Sequence, residues 1–128
     1  MRPDDLVARK ALMDEEHSIE FDLIRALQEA VSQRQERAVL KQILDQLISF
    51  TEAHFRSEEL LMRLASYDDY AEHADDHRQL LESLTSIQQR YHSTGQPEYL
   101  TQVVRSAMAF LTRHIQSRDA RFADWQPA

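Results

Sequence analysis

Apolar positions recur along this chain at steps of three and four residues, the period of an α-helix. Met13, His17, Glu20, Ile24, Leu27 and Val31 form a first stripe. Leu40, Ile43, Leu47, Phe50, His54, Glu58, Leu61 and Ala65 form a second. Tyr70, His73, His77, Leu80, Leu84, Ile87 and Tyr91 make a third, and Leu100, Val104, Ala107, Leu111 and His114 a fourth. Punctuation separates them. "SYDDY" (Ser66–Tyr70) offers capping residues, and "STGQPE" (Ser93–Glu98) holds Gly95, with Pro97 suited to a first helical turn. "SQRQER" (Ser32–Arg37) carries neither Gly nor Pro and marks the first break less sharply. Four amphipathic helices on short connections predict an all-α, antiparallel up-down-up-down four-helix bundle. It is expected to be a single domain over residues 1–128, with an N-terminal arm of about residues 1–11.

Composition narrows the chemistry. The 128 residues include one Gly and three Pro, too few for the turns of a many-stranded sheet. With no cysteine, disulfides, thiolate metal sites and cysteine nucleophiles are excluded. A net charge of −7 without a Lys/Arg cluster argues against nucleic acid. No apolar run approaches the roughly 18 residues of a membrane span, and "MRPDDLVARK" lacks the apolar centre of a secretory signal. The expectation is a cytoplasmic protein without a membrane partner.

The polar members of the stripes change the picture. Of six histidines, five (His17, His54, His73, His77 and His114) lie on inward faces, and every helix contributes at least one. A single histidine on a stripe is more often a core residue with an ordinary hydrogen bond, and one His/Glu pair four apart arises easily by chance. The joint pattern is different. His54 with Glu58, and His73 with His77, each aim two ligand atoms from one face into one space. Burying five imidazoles without partners leaves polar nitrogens unsatisfied; a shared metal centre removes that cost. Five imidazoles plus carboxylates exceed one tetrahedral zinc and suit two near-octahedral ions, iron or manganese, with iron favoured by the nitrogen-rich set. No Glu-x-x-His occurs, which disfavours the ferritin-like di-iron class.

These residues resemble the hemerythrins, in particular bacterial hemerythrin-like proteins and domains. The resemblance runs from "MDEEH" (Met13–His17) through "HFRSEELLM" (His54–Met62) and "YAEHADDH" (Tyr70–His77) to "HIQSRD" (His114–Asp119). It implies two iron ions with an oxo or hydroxo bridge. His73, His77 and His114 would ligate one, His17 and His54 the other, and Glu58 and Asp119 would bridge them. The iron with two histidines would keep an open position, where dioxygen binds end-on and is held reversibly as hydroperoxide. Phe55, Phe110, Leu111 and Ile115 match the family's pocket-lining positions, and plain bundle core accounts for the same four residues. No residue is assigned a catalytic role.

Asp119 raises a geometric difficulty. Five residues after His114, it stands about 140° around an ideal helix, and spacing alone does not choose it over Asp124. A local distortion between Ile115 and Asp119 is therefore predicted. The chain also departs from the family pattern. Glu20, one turn after His17, occupies a step where the family usually has an apolar residue. It is read as an extra ligand or hydrogen-bonding neighbour of the open site, against the alternative that it rotates outward or pairs with an arginine. The arm "LVARKAL" lacks the family's frequent tryptophan, Phe110 stands where tryptophan is frequent and Phe122 where tyrosine is, while His92 fits no ligand slot and is expected at the surface.

The leading functional reading is a non-haem di-iron protein that binds dioxygen for carriage, storage or scavenging. A second is an oxygen- or redox-sensing input that biases an output domain or partner protein. An enzyme handling peroxide or nitric oxide stands below both, because no acid/base pair lines a substrate pocket beyond Glu20 and the centre itself.

Overall fold

The computed structural model describes residues 3–125. Four long helices, α1 (Pro3–Ser32), α2 (Arg37–Leu64), α3 (Tyr70–Thr94) and α4 (Glu98–His114), are followed by one π-helical turn (Ile115–Asp119) and a short α5 (Ala120–Asp124). α1 packs on α2 and α4, and α3 packs on the same two, so the helices close a four-membered ring of neighbours. This is the expected up-down-up-down bundle. No helix among the described residues is long and apolar enough to cross a membrane.

All three breaks fall where the chain punctuation predicts, but two end without glycine. Arg34 and Ser66 both take the left-handed conformation at φ 53°. Around them Gln35 N donates to Ala30 O and Tyr67 N to Met62 O, the five-residue closure that terminates a helix and usually places glycine at that position. This explains the weak signal at Ser32–Arg37. At the third break Gly95 takes the left-handed conformation at φ 69°, which favours glycine, and the Arg37 guanidinium packs where a Cβ would stand, 2.6 Å from its Cζ.

Of the segment read as an N-terminal arm, Met1 and Arg2 lie outside the described residues, and residues 3–11 are instead part of α1. Arg9 anchors it: one guanidinium nitrogen donates to Phe122 O at 3.0 Å and Trp125 O at 3.1 Å, and the group sits 4.5 Å from the Phe122 ring centre. A buried arginine satisfied by carbonyls at the far end of the chain ties α1 to α5.

Two apolar clusters fill the bundle. The larger includes Ile24, Leu27, Leu44, Leu47, Leu84, Tyr91, Leu100 and Leu111; the smaller is built on Met13, Met62, Tyr67 and Phe122. Apart from Arg9, the buried polar residues lie where the larger cluster gives way to the smaller. In α2 the buried face is not quite the predicted stripe: Leu44, Ile48, Thr51, Phe55 and Met62 are buried, while Ile43, Phe50, Leu61 and Ala65 are at most partly covered. Adjacent apolar pairs such as Ile43/Leu44 and Leu61/Met62 leave the face ambiguous to periodicity, and the neighbouring helices choose between them.

Candidate metal centre

Between the clusters, seven side chains converge. Glu58, His73, His77, His114 and Asp119 offer donor atoms within 4.8 Å of one another, and so do His17, His54 and Glu58. All seven are buried. Four helices and the π turn therefore deliver into one space the residues chosen from the sequence.

The π turn solves the Asp119 problem. Ala120 N donates to Ile115 O, a five-residue step that widens the turn. With five residues to the wider turn, His114 and Asp119 return to one face, and Asp119 Oδ1 lies 3.0 Å from His114 Nε2.

Each carboxylate divides its oxygens between the two groups. Glu58 Oε1 is 2.6 Å from His73 Nε2 and 3.3 Å from His77 Nε2; its Oε2 is 3.5 Å from His54 Nε2 and 3.9 Å from His17 Nε2. Asp119 Oδ1 lies 2.8 Å from His73 Nε2, and Oδ2 lies 2.8 Å from His17 Nε2. Two carboxylates each spanning both groups is the arrangement of bridging ligands.

Much of this proximity is not hydrogen bonding. His17 Nε2, His54 Nε2, both oxygens of Glu58 and Asp119 Oδ1 are buried with no hydrogen-bond partner, although several are within 3 Å of one another. His114 Nε2, by contrast, is within hydrogen-bonding distance of two other ring nitrogens, His73 Nε2 at 2.9 Å and His77 Nε2 at 3.0 Å, although a ring nitrogen carries at most one hydrogen. Donor atoms that crowd together but aim past one another share a focus, which is what coordination of a cation requires. Nitrogen from five imidazoles with oxygen from two carboxylates fits a pair of first-row transition ions.

The electrostatics state the same demand. Burial opposes charge on Asp119, yet His114, His17 and His73 hold its carboxyl far below the ordinary range. Burial alone would push His73 down; Asp119 and Glu58 beside it prevail and push it up to about 9. For His114 burial wins, and the imidazole is shifted down. The two buried carboxylates call for positive charge, and neutral imidazoles facing a metal supply it with better directionality than protonated ones.

Three acidic residues not singled out from the sequence stand behind the histidines. Glu16 Oε2 meets His54 Nδ1 at 2.5 Å, Glu59 Oε2 meets His77 Nδ1 at 3.0 Å, and Asp76 Oδ2 lies 3.8 Å from His114 Nδ1. A carboxylate on the far nitrogen turns the other one toward the ion and raises its basicity. Each adjoins a metal-facing residue in sequence, yet all three face a histidine on another helix from that neighbour.

Of the pocket candidates, Phe55 stacks on His77 (centroids 3.8 Å apart, planes at 1°) and Phe110 stacks on His114 (4.8 Å, 19°). Leu111 is buried in the larger cluster. Ile115 lines a crevice of about 170 Å³ that reaches His17 and Asp119 between α1 and α5. Glu20 does not rotate outward and, among the described residues, meets no arginine. It is fully buried, accepts a hydrogen bond from Thr51 Oγ1 at 3.1 Å, and falls outside both donor groups. His92 lies at the surface, 3.0 Å from Asp45.

A bundle that encloses such a paired donor set is a metal-binding helical protein, and comparison with known proteins names the class. Residues 10–125 match the family described as "Hemerythrin HHE cation binding domain". The chain is 30% identical over 106 residues to a bacteriohemerythrin of Methylococcus capsulatus, covering 83% of this chain and 79% of that one. It is 26% identical to a bacteriohemerythrin of Stenotrophomonas maltophilia and 25% to one of Pseudomonas aeruginosa, covering 94% of this chain and 77% of each relative. The chain belongs to the hemerythrin family. It is a di-iron, oxygen-binding protein rather than an enzyme.

Proposed function

We propose that this protein binds dioxygen reversibly at the iron held by two histidines, for carriage, storage or scavenging. The observation that carries the reading is the inequality of the donor groups: three histidines converge on one side of Glu58 and Asp119, and only His17 and His54 on the other. In this assignment His73, His77 and His114 would hold one ion and His17 and His54 the other, with Glu58 and Asp119 shared between them and fewer protein ligands left for the second. When bound, the iron pair supplies the electrons that hold dioxygen. The chain's own part is to orient and to exclude. Glu16 and Glu59 fix the rings of His54 and His77. Phe55, Phe110, Leu111 and Ile115 form the apolar wall that keeps water and stray protons from the bound molecule. The net charge of −7 supports a role away from nucleic acid, and the lack of cysteine is compatible with the cytoplasm.

The test is to reduce the purified protein anaerobically, admit air, and record the visible spectrum against iron content. Two irons per chain, and a charge-transfer band that disappears under vacuum and returns with air, are expected. One-way conversion to the oxidised form would refute reversible carriage. That result would favour the second reading, oxygen or redox sensing coupled to a partner, which the buried Glu20 near His17 also supports.

A further inference from the structure

Glu20 is the one buried acid in the described bundle whose place the seven-residue donor set does not explain. It is 0% exposed, and no Lys or Arg pairs with it among the described residues. One turn further along α1 lies Ile24, fully buried in the larger apolar cluster, so Glu20 stands at the boundary between that cluster and the metal-facing layer. A carboxyl group placed there without partners costs several kcal/mol.

What the protein offers it is meagre. α1 and α2 run antiparallel, so His17 faces His54 (ring centroids 5.3 Å apart) and, one turn on, Glu20 faces Thr51. The Thr51 hydroxyl has one hydrogen and two acceptors within reach, Glu20 Oε2 at 3.1 Å and Leu47 O at 2.9 Å. It therefore serves Glu20 only part of the time. Glu20 Oε1 has no partner at all. The group also lies outside the His17–His54–Glu58 donor set, so in this arrangement it flanks the two-histidine position without completing it.

We propose that Glu20 is a specificity-determining residue whose Oε1 hydrogen-bonds the small molecule occupying the open position beside His17 and His54. A pocket with such an arm selects guests with a polar outer atom, such as azide or a protonated oxygen species, over purely apolar ones. In the metal-free protein burial raises the carboxyl to about 7 against the pull of Thr51 and His17, with Glu16 adding to the rise. This inference rests on the paired-iron reading above.

Azide binding to the oxidised, iron-loaded protein is the probe, followed by spectral titration and by the antisymmetric stretch of bound azide in the infrared. Glu20→Leu is expected to weaken azide about tenfold or more and to shift the stretch. Glu20→Gln, which keeps a neutral N–H donor, is expected to stay within about threefold of wild type with the stretch little moved. Unchanged affinity and frequency in Glu20→Leu would overturn the proposal, as would tighter binding in that variant or a Glu20→Gln that behaves like it. Wild-type protein that fails to hold two irons would instead refute the metal assignment itself, and iron content measured on the same samples tells the two failures apart.

Discussion

His114 Nε2 and Asp119 Oδ1 lie 3.0 Å apart although five positions separate them, because the backbone between them makes one π-helical turn. In an α-helix the residue that shares a face with His114 would be four positions on. The turn thus behaves as a one-residue insertion into an α-helix.

Deleting the exposed Gln116 is therefore expected to convert the π turn to α-helix and to keep Asp119 on the metal-facing side. Inserting an alanine after Gln116 instead carries Asp119 about 100° around the helix. Iron per chain should stay at two in the deletion and fall in the insertion. Equal loss in both would show that the π turn is needed for more than register.

Removing the shared bridge should disable both ions. Glu58→Ala withdraws an oxygen from each donor group, and iron content is expected to drop to one per chain or less. Stripping metal from the wild type leaves buried carboxylates and imidazoles uncompensated. It should lower the melting temperature by on the order of 10 °C. A metal-free protein that melts where the loaded one does would contradict this account.

The carboxylates behind the histidines predict a graded effect. Glu59→Gln and Glu16→Gln loosen His77 and His54 without removing a ligand. Competition against a chelator should show iron held roughly 10- to 100-fold more weakly, with far-UV circular dichroism unchanged.

In metal-free protein Glu20 gives stability a pH dependence of defined sign. Its carboxyl is raised from 4.5 to about 7, chiefly by burial. Between those values the unfolded chain ionises while the folded one keeps its proton. The contribution is thus fully present below about pH 4.5 and lost as pH rises through about 7, by roughly 3 kcal/mol. His73, raised to about 9, titrates over a higher range, so the difference between wild type and Glu20→Gln isolates the effect. Urea midpoints at pH 4.5 and 7.5 should diverge for that pair; parallel midpoints would contradict the burial of an ionisable group.

Helix ends provide a test of the fold alone. Ser66 holds a left-handed conformation that costs a side-chain residue about 1 kcal/mol. Ser66→Gly should raise stability by about 0.5–1 kcal/mol, read as a small rise in melting temperature. A fall would mean that the Ser66 side chain contributes something beyond its backbone.

Four helices, their breaks and the inward-facing histidines were legible in the chain itself, because helical periodicity and imidazole burial are both local consequences of residue order. His54, Glu58, His73 and His77 could be read as two same-face pairs for that reason. Asp119 could not: its selection over Asp124 came from a family resemblance, and its approach to His114 depends on a π turn that residue types do not announce. Which of Ile43 and Leu44 faces inward, which acid backs which histidine, and whether Glu20 points in or out were settled only by packing. Each depends on atoms from another helix, and a periodicity within one helix carries no information about what stands across the bundle.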